Sequence, residues 1–482
     1  MRTLADIRLS NPPSCQVFSE GLLSSAAQCR FAYQAILQFG VSRIGRCLLA
    51  LSLITDWGIR LSQKELFYSF NGGMPAALNP LASEPWHFSI FYLGTSPFIL
   101  NLCFFFGLLA YIGFALGLKP RLFALLSLVF QVSLANRNIY PGFCTDIMSA
   151  ILLWFVVAPK EGPVRGWPLY GYLTQLGLIY SASGFAKITP NSEWLDGTAM
   201  SWVARYTNIT NSLGELLGSA PGWFQKSLTF GVLGMELLAL PLLLLPWTRN
   251  SMIVALLIFH LGTLFTMNLG EMPLLMMGCL LVAWSRPKKM RSAEIPSTEP
   301  EPLSQLRIRL ARRVGYAVAT IVLLGIILSD AYNRVGVPTL QRWSVNAKSV
   351  VMPVPAVYFA GLVRIRQTWT MFSSPLPKTL VWPVIACTTM SGEQFNLING
   401  LPLNWQAPEG LAYYYDHRLY KYYNALYGFH AEGKKELVNA CGEFLVRDWN
   451  GKHPDKTLQH IGIWFGFAPT TNRNNVNWAK IY

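Results

Sequence analysis

The stretch Tyr180-Ser-Ala-Ser-Gly-Phe-Ala-Lys187-Ile-Thr-Pro-Asn-Ser-Glu-Trp194-Leu-Asp-Gly197 ends an apolar run that begins at Pro168. An apolar run of about 20 residues reads as a helix that crosses a bilayer. A cation at its end is either snorkelling to the interface or held there for chemistry. In the first reading Lys187 is an anchor beside an interfacial Trp194. In the second, the small residues Ala182, Ser183 and Gly184 let a helix or ligand come close. A lysine kept from water surrenders its proton more readily and becomes a usable general base.

The rest of the chain supports a membrane setting. Of its 482 residues, 52% are hydrophobic and 13% charged, about half the charge content of a soluble domain. Its 16 tryptophans suit a protein with two lipid–water interfaces. The net charge of +15 forms no basic stripe with interleaved aromatics, so nucleic acid is not an expected partner. Eight scattered cysteines, without CxxC or a Cys/His cluster, predict no metal site. The first forty residues are polar and broken by Pro12 and Pro13, so the first span is expected to serve as the targeting signal.

Nine apolar segments are candidates for spans: Val41–Ile59, Phe98–Leu118, Leu122–Ala135, Cys144–Ala158, Pro168–Ala186, Leu228–Trp247, Ser251–Leu269, Met272–Ser285 and Val314–Ser329. The third, fourth and eighth are short. With the N-terminus in the cytoplasm, the inner connections hold Lys119 and Arg121, Lys160 and Arg165, and Arg249. The segment Arg286–Arg313, with eight basic residues against three glutamates, also falls inside. Its prolines suggest a solvated linker. Nine spans then place the C-terminus outside.

After Asp330 the composition shifts toward Asn, Pro, Tyr and Trp. Val381–Thr388 and Gln394–Ile398 alternate like strands around a Ser391-Gly392-Glu393 turn. His417–Tyr427 and Lys434–Trp449 have helical spacing, and Thr457–Phe467 reads as another strand. Cys387 and Cys441 fall in this region, either as a disulfide of an oxidising compartment or as two buried thiols. The expected architecture is an all-α polytopic membrane helix bundle of about nine spans with a small C-terminal α/β extramembrane domain. Residues 1–40 would be a cytoplasmic arm, 41–287 the bundle, 288–313 a basic cytoplasmic linker, 314–330 the final span and 331–482 an exported α/β domain.

Several other polar residues are expensive in lipid. Asp56 and Arg60, at i and i+4, are expected to pair on the first span. Glu236 and His260 should face the bundle interior. A carboxyl kept from water can carry a proton at neutral pH, and a neutral imidazole can relay one. The competing reading for both is interhelical hydrogen bonding. Arg137 and Asp146 could pair across a turn built on Pro141-Gly142.

These residues carry a resemblance. From about Gln34 to Pro287 the chain resembles the horizontally transferred transmembrane domain family, whose best-known member is vitamin K-dependent γ-carboxylase. The matching features are Arg43…Asp56…Arg60, Phe67-Tyr68-Ser-Phe-Asn-Gly72 with Pro75, and Gly117-Leu-Lys-Pro-Arg121. They continue with Ser133-Leu-Ala-Asn-Arg137-Asn138…Gly142…Asp146, Tyr180…Gly184…Lys187…Trp194…Gly197, Glu236…Pro241 and Phe259-His260. Trp369-Thr-Met-Phe372 with Pro375 and Pro377 resembles the tails of bacterial relatives. Residues 331–482 do not match the carboxylase, and Glu271 stands where the family favours an apolar or aromatic residue.

The resemblance implies a mechanism. A base deprotonates a reduced naphthoquinone, and the oxygenated quinol becomes a strong base that takes a γ-proton from a peptide glutamate. The carbanion captures carbon dioxide while the quinone leaves as an epoxide. The family's catalytic lysine is the second of two adjacent lysines; Lys187 matches it, and Ala186 stands at the first. By resemblance, Lys187 and His260 are expected as catalytic groups, with Glu236, Asp146 and Trp194 around a vitamin K-like reduced quinone. Membrane lipid and a peptide or protein substrate on the outer side are the expected partners, and the inner membrane the expected location. The alternative is a non-catalytic membrane protein for peptide or lipid binding, peptide-toxin maturation or immunity.

Overall fold

The structure is a computed structural model and describes residues 41–84, 86–142, 148–158, 166–284, 303–365, 370–410 and 416–482. Asp146, Lys160, Arg165, Trp369 and the basic residues 286–291 lie outside the described residues.

The described residues open with α1 (41–62) and the short α2 (Lys64–Tyr68). A helical hairpin follows, α3 (Pro97–Leu116) and α4 (Pro120–Arg137). Its ends are written in local chemistry. Ser96 caps α3 by accepting from the Ile99 N–H, Pro97 takes the first turn, and Gly117 closes the helix at φ +73°. Then come α5 (Met148–Val157), α6 (Trp167–Lys187), the short α7 (Ala199–Arg205) and α8 (Ser212–Gly218), α9 (Gly222–Leu244), α10 (Arg249–Thr266) and α11 (Met272–Ala283). The helix α12 (Leu303–Ala331) runs on through a π turn, Tyr332–Gly336, into α13 (Val337–Arg342).

Among the described residues, four helices are long and apolar enough to cross a membrane: Pro97–Leu116, Gly222–Leu244, Arg249–Thr266 and Ser304–Arg342. The protein is therefore membrane-embedded and multi-pass. In the last three, only 28% of the most apolar window is buried within the chain, as suits helices whose other faces meet lipid. The nine-span count is not confirmed. The twelve residues of α11 rise only about 18 Å, too little for a core of about 30 Å, and the ten described residues of α5 begin where the described chain resumes at Met148. Eight of the ten α5 residues are buried, because neighbouring helices surround it. The helices α1, α4 and α6 have the length but carry buried polar residues that lower their hydropathy, although α1 and α4 also expose leucines such as Leu51, Leu122 and Leu125.

The helix α6 is central, touching α5, α9, α11 and α12. Glycines let α9 approach: a Cβ on Gly177 would stand 2.7 Å from Leu240 Cα, and one on Gly184 would stand 3.0 Å from Glu236 Cβ. This contact sets the position of the charged pair described below.

The C-terminal region forms an antiparallel sheet of order β2-β1-β3-β4, from β1 (Thr379–Thr389), β2 (Gln394–Asn396), β3 (Leu458–Pro469) and β4 (Asn477–Lys480). The hairpin forms as expected, with Thr388 opposite Gln394 and Gly392 at φ +84° in its turn. The edge strand β4 was not foreseen. After α14 (Val354–Leu362), the helices α15 (His417–Ala431) and α16 (Lys435–Lys452) match the helical spacing read in the sequence. Cys387 on β1 and Cys441 on α16 are buried free thiols, so the disulfide alternative fails. The sheet and these helices share one apolar core with the bundle, where the Phe67 and Tyr422 rings meet at 5.3 Å. Residues 303–313 of the expected solvated linker are the first turns of α12.

Candidate functional site

Lys187 is the last residue of α6 and its side chain is 1% exposed. An ammonium has three N–H donors, and all three have partners. Nζ lies 2.7 Å from Glu236 Oε2 on α9, donates to Ser183 Oγ at 2.7 Å one turn earlier, and donates to the Met371 carbonyl at 2.9 Å. The cation also stands 5.0 Å from the centre of the Trp194 ring. Helix spacing explains the Ser183 contact, since residues four apart share a face. The α6–α9 approach at Gly184 explains the Glu236 contact.

The cap comes from far along the chain. Trp194 Nε1 donates to the Phe372 carbonyl at 2.8 Å, and Ser374 Oγ donates to Glu193 Oε2 at 2.7 Å. Residues 371–374 are thus fastened to the segment that follows Lys187. Burial pushes the Glu193 carboxyl up, but the Ser374 hydroxyl, backbone N–H groups and Lys378 outweigh it and hold it below its ordinary value.

His260 sits on the same side of α6. Its Nε2 lies 2.7 Å from the Tyr180 hydroxyl, and it is buried. Tyr180 precedes Lys187 by two helical turns, roughly 10 Å. The polar groups therefore form a column along α6. Between the two levels, Ser181 Oγ bonds the carbonyls of Glu236 and Leu237 and accepts from the Leu240 N–H. The structure thus brings Lys187, Glu236 and Trp194 into contact, and links His260 to the same helix face through Tyr180. Asp146 lies outside the described residues.

A second charged cluster surrounds α15. Asp56 and Arg60 pair at 3.0 Å within α1. Arg418, fully buried, reaches Asp56, Glu271 at 3.1 Å and the Pro141 carbonyl at 2.7 Å. His417 Nε2 stands 3.3 Å from Glu271, and Arg60 also donates to the Tyr68 hydroxyl. Burial pushes the Glu271 carboxyl up, but the His417 hydrogen bond and the charges of Arg418 and His417 hold it down at about 2. Arg137 donates to the carbonyls of Met74, at 3.0 Å, and Ser69. Sequence reasoning missed Arg418 and the Met371 carbonyl. Its one signal was Glu271, a carboxylate out of place for the family, whose partner is in the C-terminal region.

The two clusters differ in what they can do. A guanidinium keeps its proton throughout, so Arg60 and Arg418 hold shape. The Lys187–Glu236 contact joins two groups that can exchange a proton over a hydrogen-bond distance. A reduced quinone, the group brought by the family resemblance, finds an open polar atom deep in the column at His260 Nδ1, and Glu236 Oε2 likewise has no hydrogen-bond partner beyond its ion pair with Lys187. At Nζ it finds none. The residues as they stand do not admit the group at Lys187 while Met371 is in place.

A family model, the HTTM domain, matches residues 146–286. This is the domain family found in vitamin K-dependent γ-carboxylase. Lys187, Trp194, Glu236 and His260 fall inside the matched stretch, whereas Asp56, Arg60 and Arg418 do not. No curated protein and no solved structure matches the chain.

Proposed function

We propose that this protein is a membrane enzyme of the carboxylase-like type, with the Lys187–Glu236 pair as its proton-transfer centre. The observation that carries this reading is the 2.7 Å contact between a buried lysine and a buried carboxylate, inside the stretch that matches the HTTM domain. An ammonium is not a base. Passing its proton to the carboxylate beside it leaves a neutral amine that can take a proton from a substrate, with no net charge moved in or out of the low-dielectric site. Ser183 fixes the lysine rotamer, and Trp194 screens its flank. His260 offers a second polar contact deeper along α6. The substrate class is a lipid-soluble quinol, admitted to Lys187 only when the Met371 carbonyl withdraws, with a peptide as the group modified. The basic end of α12 lies in the cytoplasm, the C-terminal region is exported, and the inner membrane is the location.

A second reading is favoured by one observation, the Met371 carbonyl that takes the third donor of Lys187. If that contact is permanent, the pair is a lock, and the bundle serves peptide or lipid binding, as in toxin maturation or immunity.

Purified protein in vesicles, supplied with a reduced naphthoquinone, oxygen, carbon dioxide and a glutamate-rich peptide, separates the two. Wild type should consume the quinol. Lys187→Arg should lose that activity by about 10²-fold or more, because arginine keeps the charge but cannot accept a proton. No quinol consumption by wild type, or an arginine variant as active as wild type, favours the lock.

A further inference from the structure

The apolar segment after α13 has no place in the reading above. Between Trp343 and Val363 there is one charged residue, Lys348, and between Val350 and Val363 there is none. In a water-exposed domain such a run would be buried. Here Val351 is 93% exposed, and Val350, Val354, Tyr358 and Leu362 are exposed too.

The backbone shows where this surface lies. The chain leaves the long helix at Arg342 and turns back along it. The Asn333 amide accepts from the Val350 N–H at 2.7 Å and donates to the Val350 carbonyl at 2.8 Å. Val350 therefore stands level with Asn333, roughly 13 Å back from the helix end. At the other end of the same helix, Arg121 donates to the Tyr316 hydroxyl and the Ala158 carbonyl, beside the exposed Arg312 and Arg313. That ring of cations marks one interface of the bilayer. About 25 Å of helix separates Tyr316 from Asn333, within a hydrocarbon core of about 30 Å. The exposed valines are thus at the far edge of that core.

We propose that residues 345–362 are a re-entrant element embedded in the leaflet opposite Arg312 and Arg313, and that the partner of their exposed face is lipid. Three features fit a lipid setting. Backbone groups in lipid must be satisfied within the protein, and the Asn333 amide does this for both groups of Val350. Pro353 and Pro355 have no N–H to satisfy. Lys348, five residues before Pro353 and six before the apolar helix that opens at Val354, can snorkel toward the headgroups. Arg334, the residue after Asn333, is paired with Asp330 at 2.8 Å. The surface is also continuous with the bundle's own lipid face: α14 packs Gly361 on the Trp86 ring, and the chain beyond Trp86 leads through exposed Leu93 to exposed Phe98 at the start of α3. Trp86, Phe88, Tyr358 and Leu362 border an open apolar cleft there.

A nitroxide placed by Val351→Cys in full-length protein, reconstituted in phosphatidylcholine vesicles, tests this. The reference is Met390→Cys, 68% exposed next to the β1–β2 turn, and the spectrum of the unsubstituted protein is subtracted from both. The label at 351 should collide more with oxygen, which partitions into lipid, than with a water-soluble nickel chelate. The label at 390 should show the reverse preference. Nickel access at 351 equal to that at 390 would overturn the proposal. So would low access to both reagents at 351, which would mean a protein partner or a second copy on this face.

Discussion

The two buried charge clusters are both closed by the C-terminal part of the chain, but with different groups. The Arg418 cluster is closed by a side chain that forks to two carboxylates and a carbonyl, so removing it takes a shared cation from two buried anions. The Lys187 cluster is closed by a backbone carbonyl, which can withdraw and leave the ion pair intact. The first has the design of a latch between domains and the second that of a covered reactive group. Their chemistry agrees: guanidinium on one side, and amine with carboxyl on the other.

The latch gives the largest expected effect. Arg418→Ala leaves Asp56 and Glu271 buried with one cation fewer, and breaking a buried pair costs about 3–5 kcal/mol. Thermal unfolding in detergent should fall accordingly, and limited proteolysis should release the C-terminal region early. Arg418→Lys should recover only part of the loss, because an ammonium cannot reproduce the fork to Asp56, Glu271 and the Pro141 carbonyl. An alanine variant that unfolds at the wild-type temperature would erase the distinction between the clusters.

Half of this comparison was legible in the sequence. The pairing of Asp56 with Arg60 follows from i,i+4 spacing, and Lys187 and Glu236 stood out because each is costly in an apolar run. The β-hairpin and the two C-terminal helices were readable from alternation and turn chemistry. Arg418 and Met371 were not, because they meet partners far away in the chain and no periodicity links them. The span count is left open for a related reason. Hydropathy does not reveal whether an apolar helix faces lipid or neighbouring helices, and the described residues of α5 read as part of a span although they are enclosed. The segment 345–362 was missed because two prolines and a short length hide it from a search for 20-residue runs.

Acid should separate the clusters less sharply. The Glu271 carboxyl lies at about 2 in the folded protein against an ordinary 4.5. A carboxyl depressed on folding adds stability above its unfolded value and loses it as pH falls through its folded value. The latch should therefore weaken from about pH 4.5 down to about 2, with Asp56, Arg60, His417 and Arg418 as the facing groups. Unfolding followed by tryptophan fluorescence should show wild type losing stability in that window, and Glu271→Gln, weaker at neutral pH, losing less. Parallel profiles for the two proteins would mean that Glu271 is not held by the latch.

The smallest effect is expected within the C-terminal region itself. If it is fastened by Arg418 and a core shared with the bundle, it needs no covalent staple. Cys387 and Cys441 are free thiols, and burial pushes both up to about 12, so neither offers much thiolate for exchange at neutral pH. Removing a native disulfide from a small domain costs about 2–5 kcal/mol. Adding a reductant during thermal unfolding should therefore shift the transition by nothing measurable, and Cys441→Ser should behave as a small polar substitution in an apolar site with or without reductant. A fall in unfolding temperature on reduction, abolished in Cys441→Ser, would show that a bond forms after all. The latch would then share its work with a covalent link, and the Arg418 effect should shrink when that link is present.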